Sequence, residues 1–515
     1  MRYLALSNRK SRIIETAAII TVIAAVSKGF GFFRELVIAY VFGAGAVTDA
    51  YAIAAHVVGT AGLLVSTYFS AVFLPSYALV RETQGEDGAL AFANNSLGVS
   101  LAVNTFLVII LQIAAPLILR ITGLDAEQSY LAITSVRILL FMLPMMAFLS
   151  MATGYLTSRK SFFGPNIIGF PLNITMITVC LLLGTGSGVV GISLASLFAM
   201  AAQIITLSIW LIKEKYRYKF SLRFNTPEIK TGAKVLLPVL LGFAVADLNA
   251  WVDTVIASYL GEGSVAASRF AMQLIMFSFL LIGPISGMFL SYLSDYAAKD
   301  DTKNMLAVLW KTVRAILLIV FPAIIIAIPT GSDIVRIVYQ RGEFTHEAGV
   351  LTSSAFIWYL PGLIGIATGE FLRRFFYALQ DTKTPMLCGI VSVAVNIALS
   401  VSLSRFMGLA GIALATSISA CLSSLLLLIM LRRKVGPMGF GETAFDIMKM
   451  VISAVPCLLA VIGSCQALAD HSPLIRFAAS TAAGGVAFLL PAFLLKEMAL
   501  RDLAERYLPD RFIKR

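Results

Sequence analysis

The chain has 515 residues, 59% of them hydrophobic and only 13% charged, with a net charge of +12 and a mean hydropathy of +0.88. A soluble domain is about 45–50% apolar and about 25% charged, and no soluble interior hides so large an apolar excess. Disorder is excluded by the abundance of Leu, Ile, Val and Phe, which leaves an all-α polytopic membrane protein.

At ~20 apolar residues per spanning helix, the composition allows about 14 spans. The basic stretch MRYLALSNRKSR (1–12) runs straight into a long apolar segment, so it reads as the approach to a first span rather than as a removable signal. Apolar runs then predict spans at 13–33, 50–78, 95–119, 131–156, 166–185, 189–212 and 234–259. They continue at 267–293, 306–328, 349–378, 385–404, 409–431, 447–468 and 474–495. An even number of spans puts both termini on one side. Assigned to the nearer membrane face, 30 of the 40 Lys and Arg fall on the side of the termini. Seven fall on the other side, namely Arg34, Arg120, Arg269, Arg336, Arg341, Arg405 and Arg476, and Lys28, Arg137 and Lys449 lie within spans. That bias predicts cytoplasmic termini and attributes the basic charge to loops facing anionic lipid, not to a nucleic-acid surface. The five cysteines, Cys180, Cys388, Cys421, Cys457 and Cys465, sit in apolar runs without metal or disulfide spacing.

The two halves are related. Glu35–Val47 and Asp253–Val265 share six of thirteen residues, and an acid opens each segment. Leu143-Pro144 with Ala152-Thr153-Gly154 recurs as Leu360-Pro361 with Ala367-Thr368-Gly369, and Gly188-x-x-Gly191-Ile192 recurs as Gly408-x-x-Gly411-Ile412. Similar motifs in one order at nearly one offset mark an internal duplication. Six spans per copy give both copies the same orientation, a parallel repeat about the membrane normal. The expected organisation is a lobe over 1–215, a second lobe over 216–435, and two extra helices with a basic tail over 436–515.

Ionisable groups at membrane depth are functional candidates by default. The first span carries Lys28 and ends on Arg34 and Glu35, with Gly29 and Gly31 between, where the helix is expected to bend or unwind. Asp49 and His56 open the second span, Asp253 lies in the seventh and Arg269 begins the eighth. A cavity with Lys28, Arg34 and Arg269 attracts an anion bearing several phosphate oxygens, which arginine grips bidentately. Glu35 and Asp253, at equivalent repeat positions, balance that charge or hold a coupling cation, and Asp49 is a further cavity candidate. Such a cavity disfavours the cationic cargo of drug exporters. An enzyme needs a catalytic constellation on a sizeable aqueous loop, and the one loop cluster, Glu343, His346 and Glu347, reads as a solvated loop.

Three segments carry a family resemblance. SKGFGFFRELVIAYVFGAGAVTDAY (27–51), YQRGEFT (339–345) and FYALQDTKTPM (376–386) resemble the MurJ/MviN family of the multidrug/oligosaccharidyl-lipid/polysaccharide exporter superfamily. The resemblance implies a two-lobed, 14-helix flippase of the bacterial cytoplasmic membrane. It implies as cargo lipid II, the undecaprenyl-pyrophosphate-linked peptidoglycan precursor, moved by alternating access among membrane lipids. It places the family's cavity cations on Lys28, Arg34 and Arg269, and its acids on Glu35 and Asp49. No cofactor is implied, and coupling is expected to the membrane potential or to a monovalent cation. The arginine usual within the family's second span has no counterpart in AHVVGTAGLLVST (55–67), which offers only His56. Another undecaprenyl-linked oligosaccharide is therefore the alternative cargo, ahead of an ion-coupled small-molecule exporter.

Overall fold

The computed structural model describes residues 22–23, 25–228, 247–278, 289–290 and 293–495, and no strand occurs among them. The described residues contain ten helices long and apolar enough to cross a membrane, eleven if one bent pair counts as a single span. The first, seventh and eighth predicted spans and the C-terminal tail lie partly or wholly outside the described residues. Large side chains such as Ile113 (78% exposed), Leu182 (79%) and Phe406 (86%) stand on the outside, an arrangement suited to hydrocarbon and costly in water.

Packing divides the chain into two compact units. One holds the described residues up to Ala266 together with Arg341–Thr345, and the other holds Ala267–Gln340 with the described residues from His346 onward. These packing units are cut elsewhere than at the repeat boundary of 215/216. Residues 247–266 belong with the first unit because their turn is hydrogen-bonded to the start of the second helix, as described below.

In the first unit, α1 spans 25–42 and α2 Ala46–Tyr68. A π-turn, Phe69–Phe73, leads into α3, Leu74–Leu119, which breaks at Gly85 (φ 76°). Then follow α4 (Ala126–Leu139), α5 (Met142–Ser158), the short α6 (Phe163–Ile167), α7 (Gly169–Leu183), α8 (Gly188–Lys213) and α9 (247–258). An aromatic core of Phe73, Tyr77, Phe92 and Tyr155 packs Phe73 and Phe92 with ring centroids 5.6 Å apart.

In the second unit lies most of α10 (Ser264–Ser278). It is followed by α11 (Thr302–Val338), α12 (His346–Tyr359), α13 (Gly362–Ala378), α14 (Lys383–Met407) and α15 (Leu409–Val435). The last two helices are α16 (Phe440–Ala467) and α17 (Pro473–Leu494). The final pair is fastened to α11 at several points. Trp310 Nε1 donates to the Met438 carbonyl at 2.7 Å. Asp446 of α16 lies 3.5 Å from Arg314 Nη1 of α11, beside an i,i+3 pair with Lys449 of its own helix at 3.0 Å. Arg476 Nε donates to Asp333 at 2.6 Å.

The recurring motifs have physical causes. Leu143-Pro144 and Leu360-Pro361 fall where predicted spans 131–156 and 349–378 each split into two helices; the second pair bends by 47°. Proline lacks the N–H that a helix interior requires and is tolerated where a helix begins. Gly188 and Gly408 adopt φ of 55° and 57° at the entries of α8 and α15, a left-handed conformation costly for any residue with a Cβ.

One expectation is corrected. The first helix neither ends at residue 33 nor unwinds at its glycines; it runs unbroken over 25–42, so Arg34 and Glu35 are helix-interior residues. Neither glycine is demanded by packing: a Cβ at Gly31 would make only an ordinary contact with the Asn173 carboxamide of α7 at 3.8 Å, and one at Gly29 would meet nothing within 4 Å.

Candidate functional site

The first unit gathers charge around α1. Arg34 Nη2 donates to Glu35 Oε1 at 2.8 Å, and Arg34 Nη1 donates to Asn173 Oδ1 at 3.2 Å. Asn173 in turn donates through Nδ2 to the Ser27 carbonyl at 3.3 Å, tying α7 to α1. The Glu35 residue is 3% exposed, whereas the Arg34 side chain keeps 26% of its surface open. Arg34 Nε is buried without a hydrogen-bond partner among the described residues. Each terminal nitrogen of this guanidinium still has a second N–H, and the side chain is partly exposed, so Arg34 can donate to an anion as well as to Glu35 and Asn173. Lys28 lies on the same helix, six residues and so about 9 Å earlier, with its side chain exposed.

Asp49 does different work. Its Oδ2 accepts from the Gly263 amide and its Oδ1 from the Ala266 amide, each at 2.6 Å. The 1% exposed carboxylate thus caps the N-terminus of α10, where helix amides lack partners and the dipole favours negative charge. Around it three turns interlock. The Ala46 amide donates to Glu262 Oε1 at 2.9 Å, and the Glu343 amide donates to the Tyr40 carbonyl at 3.0 Å. Gly263 (φ +81°) leaves room for the Ala44 carbonyl, which a Cβ would meet at 2.7 Å. The paired glycines of the two repeat copies, Gly43-x-Gly45 and Gly261-x-Gly263, meet in this knot.

Asp253 is half-buried on α9. Arg269 is half-buried on α10 in the second unit, its guanidinium carbon 6.0 Å from the Phe270 ring centroid. Of the six candidate residues the structure joins Arg34 directly to Glu35, sets Lys28 on the same helix, and gives Asp49 to the turn at 261–266.

Sequence reasoning missed Asn173. A signal was present, for Asn173-Ile174 recurs as Asn396-Ile397 in the matching helix of the second half, where Asn396 is also buried. It also missed the surroundings of His56, whose ring stacks on Trp251 at 5.3 Å and whose Nε2 is buried without a partner among the described residues. One turn along, Thr60 donates to Asp247.

The family model described as "Lipid II flippase MurJ" matches residues 38–480 of this chain. The chain belongs to the lipid II flippase MurJ family. Among relatives, a protein described as "Probable lipid II flippase MurJ" from Rhizobium tropici is 28% identical over 421 residues, 79% of each chain. The "Lipid II flippase MurJ" of Burkholderia cenocepacia is 27% identical over 432 residues, 79% of this chain and 82% of its own. A solved lipid II flippase MurJ in an inward closed conformation matches with a TM-score of 0.76 at 22% identity, covering 94% of this chain and 99% of that one. An inward-facing multidrug transporter of the MATE family in the MOP superfamily matches with a TM-score of 0.68 at 15% identity, over 82% and 99%. At such identities the two structures speak for the fold, which MurJ and MATE proteins share, while membership of the MurJ family rests on the sequence match.

Proposed function

We propose that this chain moves lipid II across the bacterial cytoplasmic membrane by alternating access, with both termini in the cytoplasm and no enzymatic step. The observation that carries the reading is the match of the lipid II flippase family model to residues 38–480. The local chemistry supports it: Arg34 presents an open, partly desolvated guanidinium on a helix that also carries Lys28, a combination suited to a pyrophosphate. Arg269 is the third cation of this reading, Glu35 and Asp253 are its balancing acids, Asp49 holds the turn at 261–266, and the repeat-defined halves 1–215 and 216–435 are the lobes that move. No cofactor is required, and coupling runs to the membrane potential or to a monovalent cation.

The test is complementation of a bacterium depleted of its lipid II flippase, paired with a leaflet-specific assay of lipid II accessibility at equal membrane levels of each variant. Lys28→Arg should support growth and Lys28→Glu should not. Arg34→Ala and Arg269→Ala should each weaken cargo binding roughly ten- to a hundredfold, the loss of about 1.5–3 kcal/mol expected for one charge-assisted hydrogen bond. Growth like the parent's with all three damaging variants sinks the anion-binding mechanism. A second reading, transport of another undecaprenyl-linked glycan, is favoured by the absence from residues 55–67 of the arginine usual in the family's second span, a stretch that offers only His56. It replaces the first if the unmutated protein fails to restore lipid II accessibility.

A further inference from the structure

Residues 216–223 leave the end of α8 as an extended strap held along α3 by two buried carboxamides. Asn94 donates to the Arg217 carbonyl at 3.1 Å and accepts from the Tyr216 hydroxyl at 2.6 Å. Asn95 donates to the Arg223 carbonyl at 3.0 Å. It accepts from the Arg223 amide at 2.7 Å and from the Ser221 hydroxyl at 3.0 Å. Gly98 completes the seat, since a Cβ there would collide with the Ser221 carbonyl. Most of these bonds use the strap's backbone, so its path is held while most of its side chains stay free.

Those side chains form an unusual surface. Tyr218, Phe220, Leu222 and Phe224 are 52%, 73%, 43% and 53% exposed. Interleaved with them, Lys213, Lys215, Arg217, Lys219 and Arg223 are all exposed, and no acid occurs between residues 215 and 227. Four large apolar groups turned outward on a hydrogen-bonded segment are unfavourable in water. Aromatic and basic residues together are the composition of a membrane–water interface.

The strap also lies at the depth of that interface. A hydrocarbon core of ~30 Å takes ~20 helical residues. Counted back along α3 from its end at Leu119, with Arg120 next, that length runs out near Val99, one residue beyond the strap's seat at Asn94–Gly98. On α8 the exposed Ile205, Ile209 and Ile212 give way at the same end to Lys213, whose Nζ sits 4.4 Å from the Trp210 ring centroid.

We propose that the strap and its flanks, residues 215–224, form a docking surface for an anionic bilayer, with the cations paired with lipid phosphates and the aromatics seated among the headgroups. The occupant follows from charge complementarity and from continuity with the lipid-facing side of α8.

The test uses the full chain with Phe220→Cys carrying a nitroxide, on a background with Cys421→Ser and Cys465→Ser, in nanodiscs of phosphatidylcholine alone or with one third phosphatidylglycerol. In the anionic discs the label should be several-fold less accessible to a water-soluble nickel chelate than in the neutral ones. Lys215→Gln, Arg217→Gln, Lys219→Gln and Arg223→Gln combined should remove that difference, and this variant keeps the backbone bonds to Asn94 and Asn95. Native mass spectrometry should show the same variant retaining several-fold less phosphatidylglycerol than the parent. A label equally open to nickel in both lipids, as it would be if the strap faced water or awaited a soluble protein, overturns the proposal. So does protection that survives the four substitutions. Neither readout depends on which glycan the protein carries.

Discussion

Arg34 and Glu35 are neighbours in sequence whose roles separate by exposure. The carboxylate is buried and the guanidinium remains partly exposed, so the acid orients the base; in the proposed reading the exposed part of the base meets the cargo. Removing one member of a buried charge pair is far costlier than removing both. Arg34→Ala should therefore lower stability on the order of 3 kcal/mol, while Arg34→Met with Glu35→Gln should recover most of that loss and still fail to complement. Thermal unfolding followed with a thiol-reactive dye suits this protein because Cys180, Cys388 and Cys457 are buried and become reactive on unfolding. Recovery of both stability and growth would show that the pair is structural only. Asp49 invites a simpler experiment. Asp49→Ala deletes both acceptors of the Gly263 and Ala266 amides and should cost about 3 kcal/mol. Asp49→Asn keeps one good acceptor and should cost about half as much in the same assay.

Elements here are joined by a few polar clasps set in apolar packing. The turn between α13 and α14 is one: Asp381 accepts from Lys434 Nζ at 2.6 Å, from the Thr384 amide at 3.0 Å and from the Thr384 hydroxyl at 2.8 Å. The Lys434 ammonium and the Thr384 amide hold the Asp381 carboxyl down at about 2. A depressed folded-state value means that the clasp stabilises fully above the ordinary aspartate range near ~4. That contribution is lost as pH falls toward 2. The stability gap between the parent and Lys434→Gln should accordingly be constant from pH 7 to about 5 and close between about 4 and 2, read as the difference in unfolding temperature in detergent. A gap independent of pH over that range would exclude the clasp. The C-terminal helix pair depends on similar fastenings, with Arg476 on Asp333 and Trp310 on Met438 tying α16 and α17 to α11.

At the scale of the whole molecule, the distribution of Lys and Arg makes a topological prediction. Both termini should lie in the cytoplasm, and the knot of turns at 43–46, 261–263 and 341–345 should face the other side. A fusion at the C-terminus to a phosphatase active only outside the cytoplasm should be inactive, and one to a cytoplasmic fluorescent protein should glow. A cysteine introduced at Glu343 should react with an impermeant reagent added to cells with a permeable outer envelope. The reverse pattern in both experiments would invert the orientation. It would also require the 30 basic residues on the side of the termini to face outward, against the known bias of membrane insertion.

The sequence by itself determined the class, the approximate spans and the duplication, because these depend on hydrophobic run length and on glycines and prolines whose backbone demands are local. The recurrence of Leu360-Pro361 and of Gly408 is readable in one dimension, whereas the helix break at Pro361 and the positive φ of Gly188 and Gly408 appear only in the structure. The sequence also pointed to Arg34 and Glu35, since charge in an apolar run is conspicuous wherever it lies. Tertiary structure alone decided what those charges touch. That Arg34 reaches Asn173, 139 residues away, and that Asp49 caps a helix beginning more than 200 residues later, follow from which helices pack side by side. The span pattern leaves that choice open, because most apolar helix faces pack about equally well and only a few polar groups select among them. The continuity of α1 through Gly29 and Gly31 was equally open in the sequence, because a glycine permits a bend without requiring one.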